Sequence, residues 1–281
     1  MIATMDPFRD RVAVITGGAG GIGTALAKAF AARGAKLVLA DLDEKSLAVV
    51  ARDLEKSGAQ VLGVPTDVSK PESVEALAEA TLRRFGAVHV VCNNAGVATF
   101  GPIAKSTRKD WEFTMNVNFW GVVNGVQTFV PRLIAQNQGG HVVNTASMAG
   151  LVGMRWLGVY CASKFAVVGL TESLFVELRD QGIGASVLCP MIVQTNINEN
   201  SLRMRPAELR NPPGTDLPQT GGGAPPMVGG TIQPEELARR VVRAIERREL
   251  YILTHPEQRE ILKRRAGRLD AAFNVWELEC E

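Results

Sequence analysis

Residues Arg11 to Gly23 read RVAVITGGAGGIG, and this stretch decides the fold. The apolar run VAVIT gives way to glycines, and the glycines to TALAKAFAARG, whose apolar residues recur at helical spacing. Strand, tight turn and helix start, in that order, make the unit that binds a dinucleotide. Glycines let the backbone approach the pyrophosphate, and the helix N-terminus favours its negative charge. Gly17, Gly21 and Gly23 are the turn residues here, with Ile22 between the last two. A glycine-rich turn alone proves little, so its neighbours in the chain have to agree with it.

They do. The next strand, KLVLA, ends at Asp41, followed by Leu42, about twenty residues beyond the glycines. A carboxylate there accepts hydrogen bonds from the adenosine ribose hydroxyls and repels a 2′-phosphate. No Lys or Arg lies within GGAGGIG or immediately after Asp41, so the sequence points to NAD rather than NADP. Helical and strand patterns then alternate through EKSLAVVARDLEKSG, QVLGVP, ESVEALAEATLRRFG and VHVVC. Each strand is apolar almost throughout, as in a parallel sheet covered by helices on both faces. The chain reads as α/β: one doubly wound domain over residues 1–281. NNAG, Asn93 to Gly96, is a compact loop at a strand's C-terminal end, where open α/β sheets bind ligands. His89, just before it, has no functional account.

A second stretch, Ser147 to Lys164 (SMAGLVGMRWLGVYCASK), carries the chemistry. Tyr160 opens a helical pattern, and Lys164, four residues on, lies on the same face one turn away. A free phenol titrates near pH ~10. An ammonium beside it favours the phenolate and lowers that value, which predicts a usable acid/base. Ser147 ends the apolar run HVVNTAS, so its hydroxyl is placed to meet Tyr160 at a strand end and to hydrogen-bond a substrate oxygen. Without its context the Tyr-x-x-x-Lys spacing would mean only a helical tyrosine packed beside a surface lysine.

The spacing TGxxxGxG (Thr16, Gly17, Gly21, Gly23), taken with Ser147, Tyr160 and Lys164, resembles the short-chain dehydrogenase/reductase family from about Arg11 to about Thr254. That resemblance implies a Rossmann fold and hydride transfer between a nicotinamide cofactor and a carbonyl or alcohol. It implies that Tyr160 exchanges the alcohol proton, that Ser147 positions its oxygen, and that Lys164 lowers the phenol pKa and holds the nicotinamide ribose. By the same resemblance Asn118, in an NxxG with Asn116 close by, bends its helix and holds a water of the proton relay. Asp67 and Val68 match the adenine position, and Asn93 and Asn94 line the adenosine and steady the sheet. Val193 and Thr195, in the loop after Pro190, hold the carboxamide, although Met191 replaces the usual glycine. Two rivals share these features. A 3-oxoacyl carrier-protein reductase has the same catalytic residues, but such enzymes mostly use NADP, against which Asp41 speaks. A non-catalytic cofactor sensor commonly loses the tyrosine or the lysine, and both are present.

Composition narrows the remaining classes. The 281 residues are 46% hydrophobic and 21% charged, with a formal charge of +2. No Lys/Arg cluster interleaves with aromatics as a nucleic-acid groove requires. No apolar run reaches a membrane span, and MIATMDPFRD lacks the hydrophobic stretch of a signal peptide, so a cytoplasmic enzyme without a membrane partner is expected. Cys92, Cys161, Cys189 and Cys280 form no CxxC pair, and His89, His141 and His255 no HExxH, so neither metal nor disulfide framework is expected.

Residues 206–230 hold six prolines and six glycines, and this loop, within a substrate segment of 196–233, reads as a mobile lid. In the C-terminal extension, 256–281, Leu262, Ala266, Leu269, Phe273 and Trp276 form an apolar stripe expected to dock on this chain or on a neighbouring subunit. The family resemblance implies a homo-oligomer, tetramer or dimer. Phe100, Met154, Trp156, Leu157, Met191 and Ile192 surround the expected reacting carbon, with Leu202, Met204 and Met227 in or beside the lid. They predict a bulky, largely apolar secondary alcohol or ketone, cyclic or aromatic, with oxidation as the working direction.

Overall fold

In β1 (Val12–Thr16) successive side chains point to opposite faces, and every position is buried. Val12 and Val14 join one core cluster, while Ala13 and Ile15 join another. Such a strand needs helices on both sides, and the chain supplies them. The computed structural model describes residues 6–212 and 229–278. After β1 come α1 (Gly21–Ala31), β2 (Lys36–Asp41), α2 (Glu44–Lys56), β3 (Val61–Pro65), α3 (Pro71–Phe85) and β4 (Val90–Asn93). Then follow α4 (Arg108–Met115), α5 (Gly121–Gln136), β5 (Gly140–Thr145), α6 (Gly158–Glu177), β6 (Ile183–Cys189) and α7 (Ile197–Arg203). The last elements are α8 (Pro234–Arg247), β7 (Tyr251–Leu253) and α9 (Arg259–Leu278).

The seven strands are parallel in the order β3-β2-β1-β4-β5-β6-β7. Phe30 of α1 and Leu237 and Val241 of α8 close over Ala13, Ile15 and Leu39 on one face. Leu77 of α3, Phe129 and Leu133 of α5, and Leu174 of α6 close over Val14, Val38 and Val142 on the other. Strand order reverses between β1 and β4, so their C-terminal ends open a crevice where this sheet type binds its ligand. His89 serves the opposite end. Its Nδ1 accepts the Val12 N–H at 3.0 Å and its Nε2 meets Gln138 Oε1 at 2.9 Å, a structural pairing of the starts of β1 and β4.

The helices α4 and α5 are joined by a π turn over Asn116–Trp120, with Asn118 fully buried inside it. Three expectations are refined. Contrary to the sequence reading, one helix among the described residues, α6, is long and apolar enough to cross a membrane. It instead lies on the sheet, burying Val159, Val167, Val168 and Leu174, and its apolar character comes from core packing. The stripe on α9 does not dock along its length on this chain. Arg265 stacks over Phe165 with its guanidinium carbon 5.4 Å from the ring centroid, but Leu269 and Phe273 are exposed; the Trp276 side chain lies outside the described residues. Of the lid, Ala207–Leu209 form one 3-10 turn, and residues 213–228, Met227 among them, lie outside the described residues.

Candidate active site

The glycine turn is shaped by what it must avoid. Gly17 sits at φ +63°, and a Cβ there would lie 2.9 Å from Ala95 Cα; a Cβ on Gly23 would lie 2.0 Å from the Gly17 carbonyl oxygen. Only glycine fits such close backbone crossings. Thr16, at the end of β1, ties this turn to NNAG, its Oγ1 accepting the Asn94 N–H at 2.9 Å and the Ala95 N–H at 3.1 Å. At the end of β2, Asp41 accepts the Ala19 N–H through Oδ2 and the Asp43 N–H through Oδ1, each at 3.0 Å. A carboxylate has about four acceptor sites, so Asp41 is fixed in place and can still receive hydroxyls.

A cleft of ≈ 390 Å³ runs along this edge. Gly17, the run from Ala19 to Gly23, Asp41, Leu42, Asp67, Val68 and Asn94 line one side, and residues from Thr195 through α7 to Met204 the other. A phosphate-sized cradle of bare backbone beside an anchored carboxylate fits a nicotinamide dinucleotide. Four expected contacts lie outside this lining: Asn93, Val193, Tyr160 and Lys164. Asn93 is buried, its Nδ2 donating to Asn144 Oδ1 at 2.8 Å, and its amide presses so closely on α5 that a Cβ on Gly125 would lie 2.0 Å from Asn93 Oδ1. Neighbouring residues at a strand end point opposite ways, so Asn94 lines the cleft and Asn93 steadies the sheet. Val193 pairs with Ile232 and leaves Thr195 as the cleft residue of that loop.

Ser147, Tyr160 and Lys164 come together at the inner end. Ser147, two residues past the end of β5, accepts the Ala149 N–H at 3.1 Å, donates to the Pro190 carbonyl at 3.3 Å and hydrogen-bonds Tyr160. Lys164 is buried, its Nζ donating to the Thr145 carbonyl at 2.9 Å and lying 5.6 Å from the centroid of the Tyr160 ring. The expected lowering of the phenol pKa is not what this arrangement gives. Burial pushes the phenol up to about 12, the Ser147 hydrogen bond only partly opposing it, and burial pushes the ammonium down to about 8. The reason is geometric. The ammonium sits over the ring and bonds a carbonyl, and removing both groups from water outweighs their mutual attraction.

Asn118 is the buried asparagine of the π turn, whereas Asn116 is partly exposed. Its amide accepts the Val97 N–H at 2.8 Å and donates to the Val97 carbonyl at 2.9 Å and to Ser163 Oγ at 3.1 Å. Ser163 donates in turn to the Tyr160 carbonyl at 2.7 Å, so Asn118 links the loop after NNAG to the helix that bears Tyr160.

Sequence reading missed the polar pairs that hold the outer wall. Arg205 bridges to Asp110 at 2.8 Å with both side chains largely buried, and Asn211 donates to the same carboxylate at 3.0 Å. Arg203 bridges to Asp43 at 2.7 Å. Partners this far apart in the chain leave no periodic signal. His255 is a third omission, its Nδ1 accepting the Met191 N–H at 3.4 Å and its Nε2 meeting the Gly230 carbonyl at 3.0 Å.

A profile of the family described as short chain dehydrogenase matches residues 11–206. The C alpha-dehydrogenase of Sphingobium sp. (strain NBRC 103272 / SYK-6) is 37% identical over 261 residues, covering 92% of this chain and 85% of its own. The 3beta-hydroxysteroid dehydrogenase 2 of Eggerthella lenta is 39% identical over 188 residues, 66% of this chain and 72% of that one. A crystal structure of a short chain dehydrogenase/reductase from Burkholderia phymatum in complex with NAD superposes with a TM-score of 0.86 at 40% identity, over 94% of this chain and 96% of that one. With likenesses that run through the sheet, the glycine turn and the Tyr160 helix alike, the chain belongs to the short-chain dehydrogenase/reductase family.

Proposed function

We propose that this oxidoreductase uses NAD to interconvert a bulky, largely apolar secondary alcohol, cyclic or aromatic, and its ketone. One observation carries the reading: Gly96 lines the cleft that holds Asp41 and also abuts the buried cluster. A Cβ on Gly96 would lie 3.3 Å from Asn118 Oδ1 and 3.6 Å from Lys164 Nζ, so a ligand anchored at Asp41 can reach Tyr160. A nicotinamide bound there supplies or accepts the hydride. Tyr160 exchanges the proton of the substrate oxygen, Ser147 holds that oxygen, and Lys164 sets positive charge under the phenol ring. Asn118 is a positioning residue that acts through Val97 and Ser163. With its pKa pushed up to about 12, the phenol keeps its proton at neutral pH, which suits donation to a ketone. Proton abstraction from an alcohol therefore gains as the medium becomes alkaline.

Substrate size is supported by the wall ahead of Tyr160. Gly101 N–H donates to the Trp156 carbonyl at 2.7 Å and Gly101 pairs with Leu157, drawing Phe100, Trp156 and Leu157 into one apolar surface. Trp156 holds φ +69°, a conformation that costs about 1 kcal/mol or more for such a side chain and recurs at ligand sites. The Eggerthella lenta relative is named for a hydroxysteroid, a ligand of this size class. The reading also places the enzyme in the cytoplasm as a homo-oligomer, and exposed Trp120, Tyr251, Leu253 and Phe273 offer apolar surface for assembly. A panel of aryl, bicyclic, steroid-like and small polar secondary alcohols, followed by absorbance of the reduced cofactor, tests it. Highest kcat/KM on a bulky apolar member is expected, and highest on a small polar one overturns the proposal.

A further inference from the structure

The helix α7 lies along the mouth of the cofactor cleft, and two ion pairs of different exposure hold its C-terminal end. Just beyond its C-terminus, the Arg205–Asp110 pair is buried and reinforced by Asn211, by Thr107 and by Lys109, which donates to the Arg210 carbonyl at 3.1 Å. This is a fixed root. Arg203, on the helix itself, reaches across to Asp43 on the opposite wall through Nη1 at 2.7 Å, while its Nη2 meets Asn200 Oδ1 at 3.2 Å. Asp43 adjoins Asp41 and Leu42, and Asp43 and Arg203 both line the cleft. The two partners differ in exposure. Asp43 is the N-cap of α2, accepting the Ser46 N–H at 3.1 Å and the Ser46 hydroxyl at 2.8 Å, and its side chain is 13% exposed. The Arg203 side chain is 55% exposed, so water can replace Asp43 as its partner.

We propose that Arg203 and Asp43 form a latch across the cofactor cleft that sets the rate at which the dinucleotide enters and leaves. The proposal rests on the dinucleotide occupying this cleft. When the pair is closed, the helix and the end of β2 are joined over the cleft, and a ligand lying between the glycine turn and Asp41 leaves only after the pair parts. Arg203 contributes nothing to the capping of α2, so its removal leaves the scaffold intact.

The test needs no substrate. NADH fluorescence followed by stopped flow gives the dissociation rate of the reduced cofactor from the wild-type protein and from Arg203→Gln, Arg203→Lys and Asp43→Asn. An asparagine still caps a helix, so Asp43→Asn removes the charge and spares α2. Release from Arg203→Gln and from Asp43→Asn should be about two- to fivefold faster, the range for a solvent-exposed ion pair. Arg203→Lys should recover part of the slow rate. The double variant should release no faster than either single one, and added salt should speed release from the wild type but not from the variants. Unchanged release from Arg203→Gln, with NADH still bound by the wild type, overturns the latch alone. Slower release from Asp43→Asn also overturns it, because a freed Arg203 would then be binding the cofactor directly. Failure of the wild type to bind NADH overturns both the cofactor assignment and the latch.

Discussion

The two walls of the cofactor cleft are built by opposite means. One is backbone pressed on backbone: the glycine turn, clasped to NNAG through Thr16, leaves no space for a single added methyl at Gly23. The other, from Thr195 to Asn211, is held by side chains that reach across the molecule, Arg203 to Asp43 and Arg205 to Asp110. A wall continuous with the sheet cannot shift without unmaking the core. A wall held by a few polar pairs opens by exchanging them for water. The groups assigned to proton transfer belong with the fixed wall, and substrate fit and ligand exchange fall to the movable one.

Four outcomes would sharpen or break that contrast. The largest is expected from Tyr160→Phe, which removes one hydroxyl and should lower kcat by ~10² to 10⁴ while NADH affinity stays near wild type. A variant that keeps its turnover would remove proton transfer from the fixed wall. Next comes Asp110→Ala, which leaves Arg205 buried and unpaired. Breaking such a pair costs about 3–5 kcal/mol. Amide exchange in residues 197–212 should therefore quicken by at least about a hundredfold while β1 and β4 keep their protection, and equal loss in both walls would erase the distinction. Third, NAD should exceed NADP in kcat/KM by about a hundredfold, because a 2′-phosphate beside Asp41 meets like charge worth several kcal/mol; Asp41→Ala should close most of that gap.

The smallest effect comes from acid. Burial drives His141, in β5, down to about 4. It is neutral in the fold, so the unfolded chain takes up the proton first. Its stabilisation is present above pH ~6.5 and is lost as the pH falls toward 4. From pH 6.5 to 5 the loss is on the order of 2 kcal/mol. Asp43, held at about 2 chiefly by the Arg203 hydrogen bond, and Asp110, held low by Thr107, Asn211 and Arg205 against its burial, remain ionised there. The core should thus weaken before the pairs of the movable wall. Denaturant titrations across this range should show the slope, and His141→Gln should flatten it.

What the sequence disclosed follows the same division. The fixed wall was legible because its signals are local: an apolar run, glycines at set spacing, and Asp41 at the end of the following strand. Tyr160 and Lys164 were legible because helical periodicity places them on one face. The titration of that pair was not, since it depends on how far each group is withdrawn from water, and burial reverses the shift expected for the phenol. Asn93 and Asn94 look alike in sequence, and only the pleat of β4 tells which one faces the cleft. The movable wall stayed hidden because Arg203 and Asp43 are 160 residues apart. Nothing in the local pattern of either residue announces the other.

The strand order has a consequence for how the chain assembles. β1, β2 and β3 extend the sheet toward one side, β4 returns to the bare edge of β1, and β5, β6 and β7 add outward in turn. Every strand after the first therefore docks on one already synthesised, and none waits for a partner nearer the C-terminus. The sheet can grow as the chain leaves the ribosome, N-terminal portion first. By the time β4 has docked, the glycine turn already has its clasp, and α7, the last piece of the cleft, closes over a finished cradle.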